Sequence, residues 1–207
     1  MHRPVLVTAG ATRNPVDAMR SITAYSSGKT GVWLAETLAF HTSVHLLGSP
    51  EALLRVRHEH VSGEEMGDTR DLSERMRRWL MAHPDGALLH AAAVGDYEAE
   101  PFAGKISSDQ DELVIRLRRA PKIVDSVRGW APGCLLVSFK AAGPETSPEA
   151  LVEICQRQLQ RTDSNLVFGN VIGDLERTST LVSPDGARRF ESREEALHAL
   201  VSAVLAG

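Results

Sequence analysis

Ser26-Ser27-Gly28-Lys29 places two hydroxyls, a glycine and a cation just before an amphipathic run. Such a segment opening a helix can hold phosphate, because free N–H groups and the positive end of the helix dipole point at the anion. The same serines would serve as an ordinary helix cap. Thr8-Ala9-Gly10-Ala11-Thr12 follows a first apolar strand with small residues only, which lets backbone N–H groups approach a ligand, or simply makes a tight turn. It carries neither the GxGxxG fingerprint of dinucleotide sites nor the GxxxxGK[ST] phosphate loop, which argues against a nicotinamide cofactor or an NTPase motor. Asp96 and Lys105 flank a long loop after a buried strand, a place where charges act on ligands or stand as a solvated pair. Arg157 and Arg161 lie i, i+4 on one helix face. Solvent alone can satisfy them, and Arg161 also suits a helix C-terminus. The eight histidines are scattered, and Cys134 and Cys155 have no metal-ligand spacing, so no metal site is expected and both thiols read as small buried hydrophobes.

The elements that must position these groups follow from apolar periodicity. At 207 residues with 43% apolar and 24% charged content, the chain is expected to form a single domain with a sizeable core. A formal charge of −4 argues against a general electrostatic grip on nucleic acid or anionic lipid. No apolar run approaches the roughly 20 residues of a membrane span, and no h-region follows Met1-His2-Arg3-Pro4, which leads to the expectation of a cytoplasmic protein. Strands are predicted at residues 5–8, 43–47, 55–61, 86–93, 113–117, 134–139 and 166–170, and a hairpin at 179–190 around Pro184-Asp185-Gly186. Helices are predicted after Gly28, burying Trp33, Leu34, Thr37 and Leu38, and over 68–82, from Pro121, over 147–161, and after the capping box that opens at Ser192. Residues 13–29 and 94–110 read as loops, the former long for a compact βα connection. Strands alternating with helices give an α/β domain: one Rossmann-like unit over 1–207, a mainly parallel open sheet with helices on both faces. The loops after Thr8, Ala93, Phe139 and Asn170 should then meet at the carboxyl ends of the strands.

Several segments together resemble a known family. Val5 to Thr12, Asp17 to Arg20, Ser26 to Gly31, Ala91-Ala92-Ala93-Val94 with Asp96-Tyr97, Lys105-Ile106-Ser107-Ser108, Pro121 to Val124, Ser138-Phe139-Lys140 and Leu166 to Asn170 fall in the order found in phosphopantothenate–cysteine ligases, and the short chain is similar to the monofunctional bacterial form. The resemblance implies a step of coenzyme A biosynthesis in which 4′-phosphopantothenate and L-cysteine are joined as an amide, through an acyl-cytidylate, at the expense of CTP. Lys105 then matches the catalytic lysine, stabilising charge on the α-phosphate and the acyl phosphate. Gly10, Ala11 and Thr12, with Arg157 and Arg161, match the triphosphate site, where Mg²⁺ would bridge phosphate oxygens without a dedicated protein cage. Asp96, Pro121 and Ile123 match nucleoside positions. Phe139 either packs on the base, the reading preferred here, or fills the core. Arg20, Ser26, Ser27, Gly28 and Ala92 match the acid substrate's site. A homodimer is implied as well, paired through strands near the substrate site.

One departure stands out. Ala24 occupies the place of an asparagine that the family ties to conversion of the acyl-cytidylate to the amide. Losing one oriented donor at a developing oxyanion slows such a step by about 10² to 10³. The alternative reading is therefore a divergent homologue that binds nucleotide or acyl-nucleotide and lacks an efficient second half-reaction. Asn14 and Thr23 are the candidate substitute donors. Arginines at 157 and 161 also stand where the relatives carry lysines, which keeps charge and alters hydrogen-bond geometry.

Overall fold

Val5–Ala9 (β1) is buried along its whole length, as an unbroken apolar run must be at the centre of a parallel sheet. The computed structural model describes residues 2–174 and 179–207. After β1 come the hairpin Arg13–Pro15 (β2) and Ser21–Thr23 (β3), helix Lys29–Ala39 (α1), strand Val44–Gly48 (β4), the helical turn Pro50–Leu53 (α2), strand Val61–Glu65 (β5), helix Thr69–Ala82 (α3) and strand Ala87–His90 (β6). The second half runs through Tyr97–Ala99 (β7), Leu117–Arg119 (β8), a 3₁₀ turn Ile123–Ser126 leading into Val127–Trp130 (α4), Leu135–Ala142 (β9), Pro148–Thr162 (α5), Leu166–Val171 (β10), the hairpin Ser179–Ser183 (β11) and Gly186–Phe190 (β12), and Arg193–Ala206 (α6). The main sheet has the order β12-β11-β10-β9-β6-β1-β4-β5. From β10 to β5 every pairing is parallel, and β11 and β12 add an antiparallel edge. The chain leaves β1 toward β4 and β5, then returns to the other side of β1 to lay down β6, β9 and β10. The switch point, where ligands bind in open α/β sheets, is therefore the β1/β6 crevice.

Period-two alternation assigns each residue of the central strands to one of two cores. Val5 and Val7 of β1, Leu89 of β6 and Val137 of β9 meet Leu34 and Leu38 of α1 and Leu200 and Val204 of α6. Leu6, Leu88 and Leu136 face the other way, onto Leu72, Met76 and Leu80 of α3 and Val127 of α4. A third cluster joins Leu151 and Cys155 of α5 to Val167 and Val182. Helices thus cover both faces of an α/β sheet, as predicted. Both cysteines are free and buried, and burial pushes the Cys155 thiol up to about 12. Among the described residues no helix is long and apolar enough to cross a membrane.

Several elements differ from expectation. Residues 55–61 do not form the third strand: Ser49 caps α2, and the strand is β5, whose polar sequence suits a sheet edge left largely exposed. Residues 113–116 carry no regular structure and β8 pairs with β7 in a small flap separate from the main sheet. The stretch read as a loop from 13 to 29 contains the β2–β3 hairpin. β6 ends at His90 because residues 91–93 turn toward the β1 loop. Pro121 precedes the 3₁₀ turn rather than opening a helix. Trp33 and Thr37 are half-buried on the flank of α1.

Candidate active site at the sheet switch point

The turns leaving β1 and β6 are laced together. Ala93 N–H donates to Gly10 O at 2.8 Å and Thr12 N–H to Ala93 O at 3.2 Å. The Thr12 hydroxyl accepts Gly95 N–H at 3.0 Å, and the Thr8 hydroxyl accepts Ala92 N–H at 3.0 Å. Two glycines permit this closeness. Gly10 has φ +88° and a Cβ there would lie 2.2 Å from the Ser49 Oγ; Gly28 has φ +72° and a Cβ would lie 3.1 Å from Gly10 N. Neither conformation nor space admits a side chain. Gly28 is also the N-cap of α1 and supplies no side-chain bond. The serines before it therefore do not cap the helix, and the first-turn N–H groups keep no side-chain acceptor at that cap. Arg55 Nε instead pins this turn through Ser27 O at 3.1 Å.

Asp17 organises the β2–β3 turn. Its carboxylate accepts backbone N–H groups from Met19 at 2.8 Å, Arg20 at 2.7 Å and Ile106 at 3.0 Å, and the Arg20 guanidinium as well. These bonds, the Ile106 N–H foremost, hold the acid at about 2, because each favours the charged form. Ala18 N–H to Gly104 O at 3.0 Å closes the same clamp. The loop carrying Lys105 is thereby tied to the turn carrying Arg20, while Lys105 itself is exposed. Asp17 was visible in the sequence as part of a motif without a role; the signal for it was an acid two and three residues before N–H groups that an Asx turn would use.

Asn14 is engaged within the fold. It is 2% exposed, its Nδ2 donates to Tyr97 O at 3.0 Å, and its Oδ1 accepts from the Thr69 backbone and hydroxyl, each at 2.9 Å. Buried and absent from the lining around Ala24, it is poorly placed to replace the missing amide. Thr23 is exposed beside Ala24 and its hydroxyl makes one long bond, 3.4 Å, to Ala24 O. Residues 23–27, with Ala11, Arg13 and Glu51, line a cavity of about 490 Å³, within the range of small-molecule sites.

The remaining candidates fall into two groups. Asp96 and Lys122 pair at 3.4 Å, and Ala120 N–H donates to Asp96 O at 2.9 Å, so Asp96 and exposed Pro121 sit on adjoining backbone. Ile123 is 4% exposed and its side chain belongs to the α3–α4 core, which leaves only its backbone for a ligand. Arg161 pairs with Asp125 beside that segment, whereas Arg157 pairs with Glu153 at 3.8 Å and is largely exposed. Phe139 is half-buried. Its ring lies 5.3 Å from that of Phe168 and packs on the α1–α6 core, while Ser138, the neighbour of opposite orientation, meets Gln158 of α5 at 2.9 Å. Alternation with Leu135 and Val137 was the available signal. Beyond Phe139 and Asn170, β9 and β10 run on to Ala142 and Val171, where Ile172 N–H bonds Ala142 O at 2.9 Å.

The family profile described as the C-terminal domain of DNA/pantothenate metabolism flavoproteins matches residues 1–201. The chain belongs to that family. This is the relationship to which the sequence segments pointed. The coenzyme A biosynthesis bifunctional protein CoaBC of Thermococcus kodakarensis is 36% identical over 196 residues, 90% of this chain and 46% of the relative. The chain thus spans about half the length of such relatives. Among solved structures, the DNA/pantothenate metabolism flavoprotein of Streptococcus pneumoniae matches with a TM-score of 0.88 at 26% identity over 99% of both chains. A Cab2 mutant in complex with phosphopantothenate-cysteine shares the fold, with a TM-score of 0.73 at 21% identity over 99% of this chain and 88% of that one.

Proposed function

We propose that the chain is a cytoplasmic phosphopantothenate–cysteine ligase using CTP. Family membership together with one geometric observation supports the reading: Asp17 ties the Lys105 loop to the Arg20 turn beside the laced β1 and β6 turns. In the first half-reaction a carboxylate oxygen of 4′-phosphopantothenate attacks the α-phosphorus of CTP, the P–O bond to the β-phosphate breaks, and pyrophosphate leaves. Such a step needs positioning and charge neutralisation more than covalent help. Lys105 supplies the cation at the α-phosphate. Backbone N–H groups of Gly10 and Ala11 take the phosphates beside Thr12, whose own N–H is held by Ala93 O, and Arg161 and Arg157 exchange their acidic partners for the outer oxygens. Asp96 and the backbone of Pro121 and Ile123 take the nucleoside, and Arg20, Ser26, Ser27, Gly28 and Ala92 the acid. Mg²⁺ accompanying the triphosphate would supply charge neutralisation on the phosphate oxygens. In the second half-reaction the cysteine amine attacks the acyl carbon, CMP leaves with the electron pair, and the amine's proton passes to solvent.

A second reading is favoured by Ala24 and by the burial of Asn14 away from it: a homologue that binds or forms the acyl-nucleotide and converts it slowly. Pyrophosphate release from phosphopantothenate and CTP, measured with and without cysteine and followed by acid quench, separates the two. Acyl-cytidylate at levels comparable with enzyme, drained in Ala24→Asn by a rate gain of up to about 10² to 10³, establishes the slow second step. Fast amide formation without accumulation shows that another group supplies the donor. No pyrophosphate from either protein overturns the ligase reading.

A further inference from the structure

The cavity beside Ala24 has one charged wall. Arg13, on β2, and Glu51, in the first turn of α2, form an ion pair there with side chains 47% and 52% exposed. Both backbones are fixed. Arg13 N–H bonds Gly67 O at 3.1 Å and the residue pairs with Thr23 across the hairpin, and Glu51 follows the Ser49 cap of α2. Its own backbone N–H, the Ser49 hydroxyl and Arg13 hold the Glu51 carboxyl below its ordinary range. One guanidinium nitrogen meets one carboxylate oxygen, so the pair uses a fraction of five donors and about four acceptor sites. An exposed pair of this kind contributes little to stability.

We propose that Arg13 and Glu51 form the subsite for the amine acceptor, and that it selects an α-amino acid in its zwitterionic form. A simple amine meets Glu51 but is opposed by Arg13, and a simple acid meets the reverse. Only a ligand carrying ammonium and carboxylate on adjacent atoms satisfies both poles, and Arg can take a carboxylate bidentately. The wall adjoins Ala24, where the acyl carbon lies in the ligase reading on which this inference rests. A carboxylate held low in pKa is a weak base, so Glu51 orients the ammonium, which gives one proton to solvent to become the attacking amine and a second as the amide forms.

The test compares L-cysteine with cysteamine, which keeps the amine and thiol and lacks the carboxylate. Wild-type protein should favour cysteine in kcat/KM, and Arg13→Gln should lower kcat/KM for cysteine about 10- to 100-fold more than for cysteamine, the loss expected of a charge-assisted pair. Equal losses for both amines would assign Arg13 a structural role and overturn the proposal, as would an unchanged ratio. Should Arg13→Gln fail to fold, Glu51→Gln decides: a raised KM for both amines supports the subsite and an unchanged KM overturns it. If wild-type protein releases no pyrophosphate from phosphopantothenate and CTP, the ligase reading falls by itself. Calorimetric titration with L-cysteine then reads the subsite directly: binding by wild type that weakens in Arg13→Gln supports it, and no binding by wild type overturns it.

Discussion

Asp17 accepts bonds from two residues of its own turn and from Ile106, 89 positions away, and Lys105 is carried on that last bond. Lys105→Ala should therefore cut pyrophosphate release by about 10² to 10³ while leaving the thermal midpoint unchanged, since an exposed loop cation contributes to charge on the transferring group and little to packing. Asp17→Asn should act differently. An amide turns a donor toward Ile106 N–H or toward the Arg20 guanidinium, so the loop loosens, the midpoint falls and the rate falls with it. Scanning calorimetry beside the pyrophosphate assay separates the two; wild-type release by Lys105→Ala would remove that residue from the reaction. Since the Asp17 carboxyl is held at about 2, below the ordinary 3.8, its support is fully present above pH 3.8 and disappears as the pH falls through 2.

Across the three central strands, Thr8 of β1, His90 of β6 and Ser138 of β9 stand in one register row beneath the crevice. His90 Nδ1 lies 2.9 Å from the Thr8 hydroxyl, and burial lowers its pKa from 6.5 to about 4. Between those values the unfolded chain binds a proton that the folded one refuses, so stability is fully present above pH 6.5 and is lost as the pH falls toward 4. From pH 7 to pH 5 the loss should be about 2 kcal/mol, read from urea midpoints, and His90→Gln should flatten that slope. An equal slope in the variant would place the proton uptake elsewhere. The central strands were legible before the structure because burial on both faces leaves apolar runs that no other element needs. Edges and flaps were not. β5 is mostly polar because one side of it faces water, and β2, β3, β7 and β8 are three-residue strands held by side chains such as Asn14 and Asp17, whose partners lie 55 and 89 positions away. Periodicity carries no trace of such partners. The candidate site was legible by residue type at Gly10, Gly28, Asp96 and Lys105, whereas which charge pairs with which, as in Arg161 with Asp125 and Arg13 with Glu51, depended on the fold.

The flap from β7 to β8 holds Tyr97, Phe102, Leu113, Val114, Ile115 and Leu117 at 39 to 74% exposure. The free sheet edge at β12 is guarded instead by Arg188 and Arg189, paired with Glu195 and Glu149, and charges of that kind discourage strand addition. The homodimer implied by the family resemblance is therefore expected to close over the flaps. Sedimentation should give a dimer at micromolar concentration, and Val114→Asp with Ile115→Asp should shift it to monomer; a wild-type monomer would rule the pairing out. At the other end of the molecule, α6 lies over α1. Arg193 bonds the Thr30 hydroxyl at 2.9 Å, and the Trp33 and His198 rings meet edge-on at 5.0 Å. An element made 163 positions later thus covers α1. A chain made at about 5–20 residues per second holds the flank of α1 that α6 will cover bare for roughly ten to thirty seconds, a window in which that apolar surface is open to other chains.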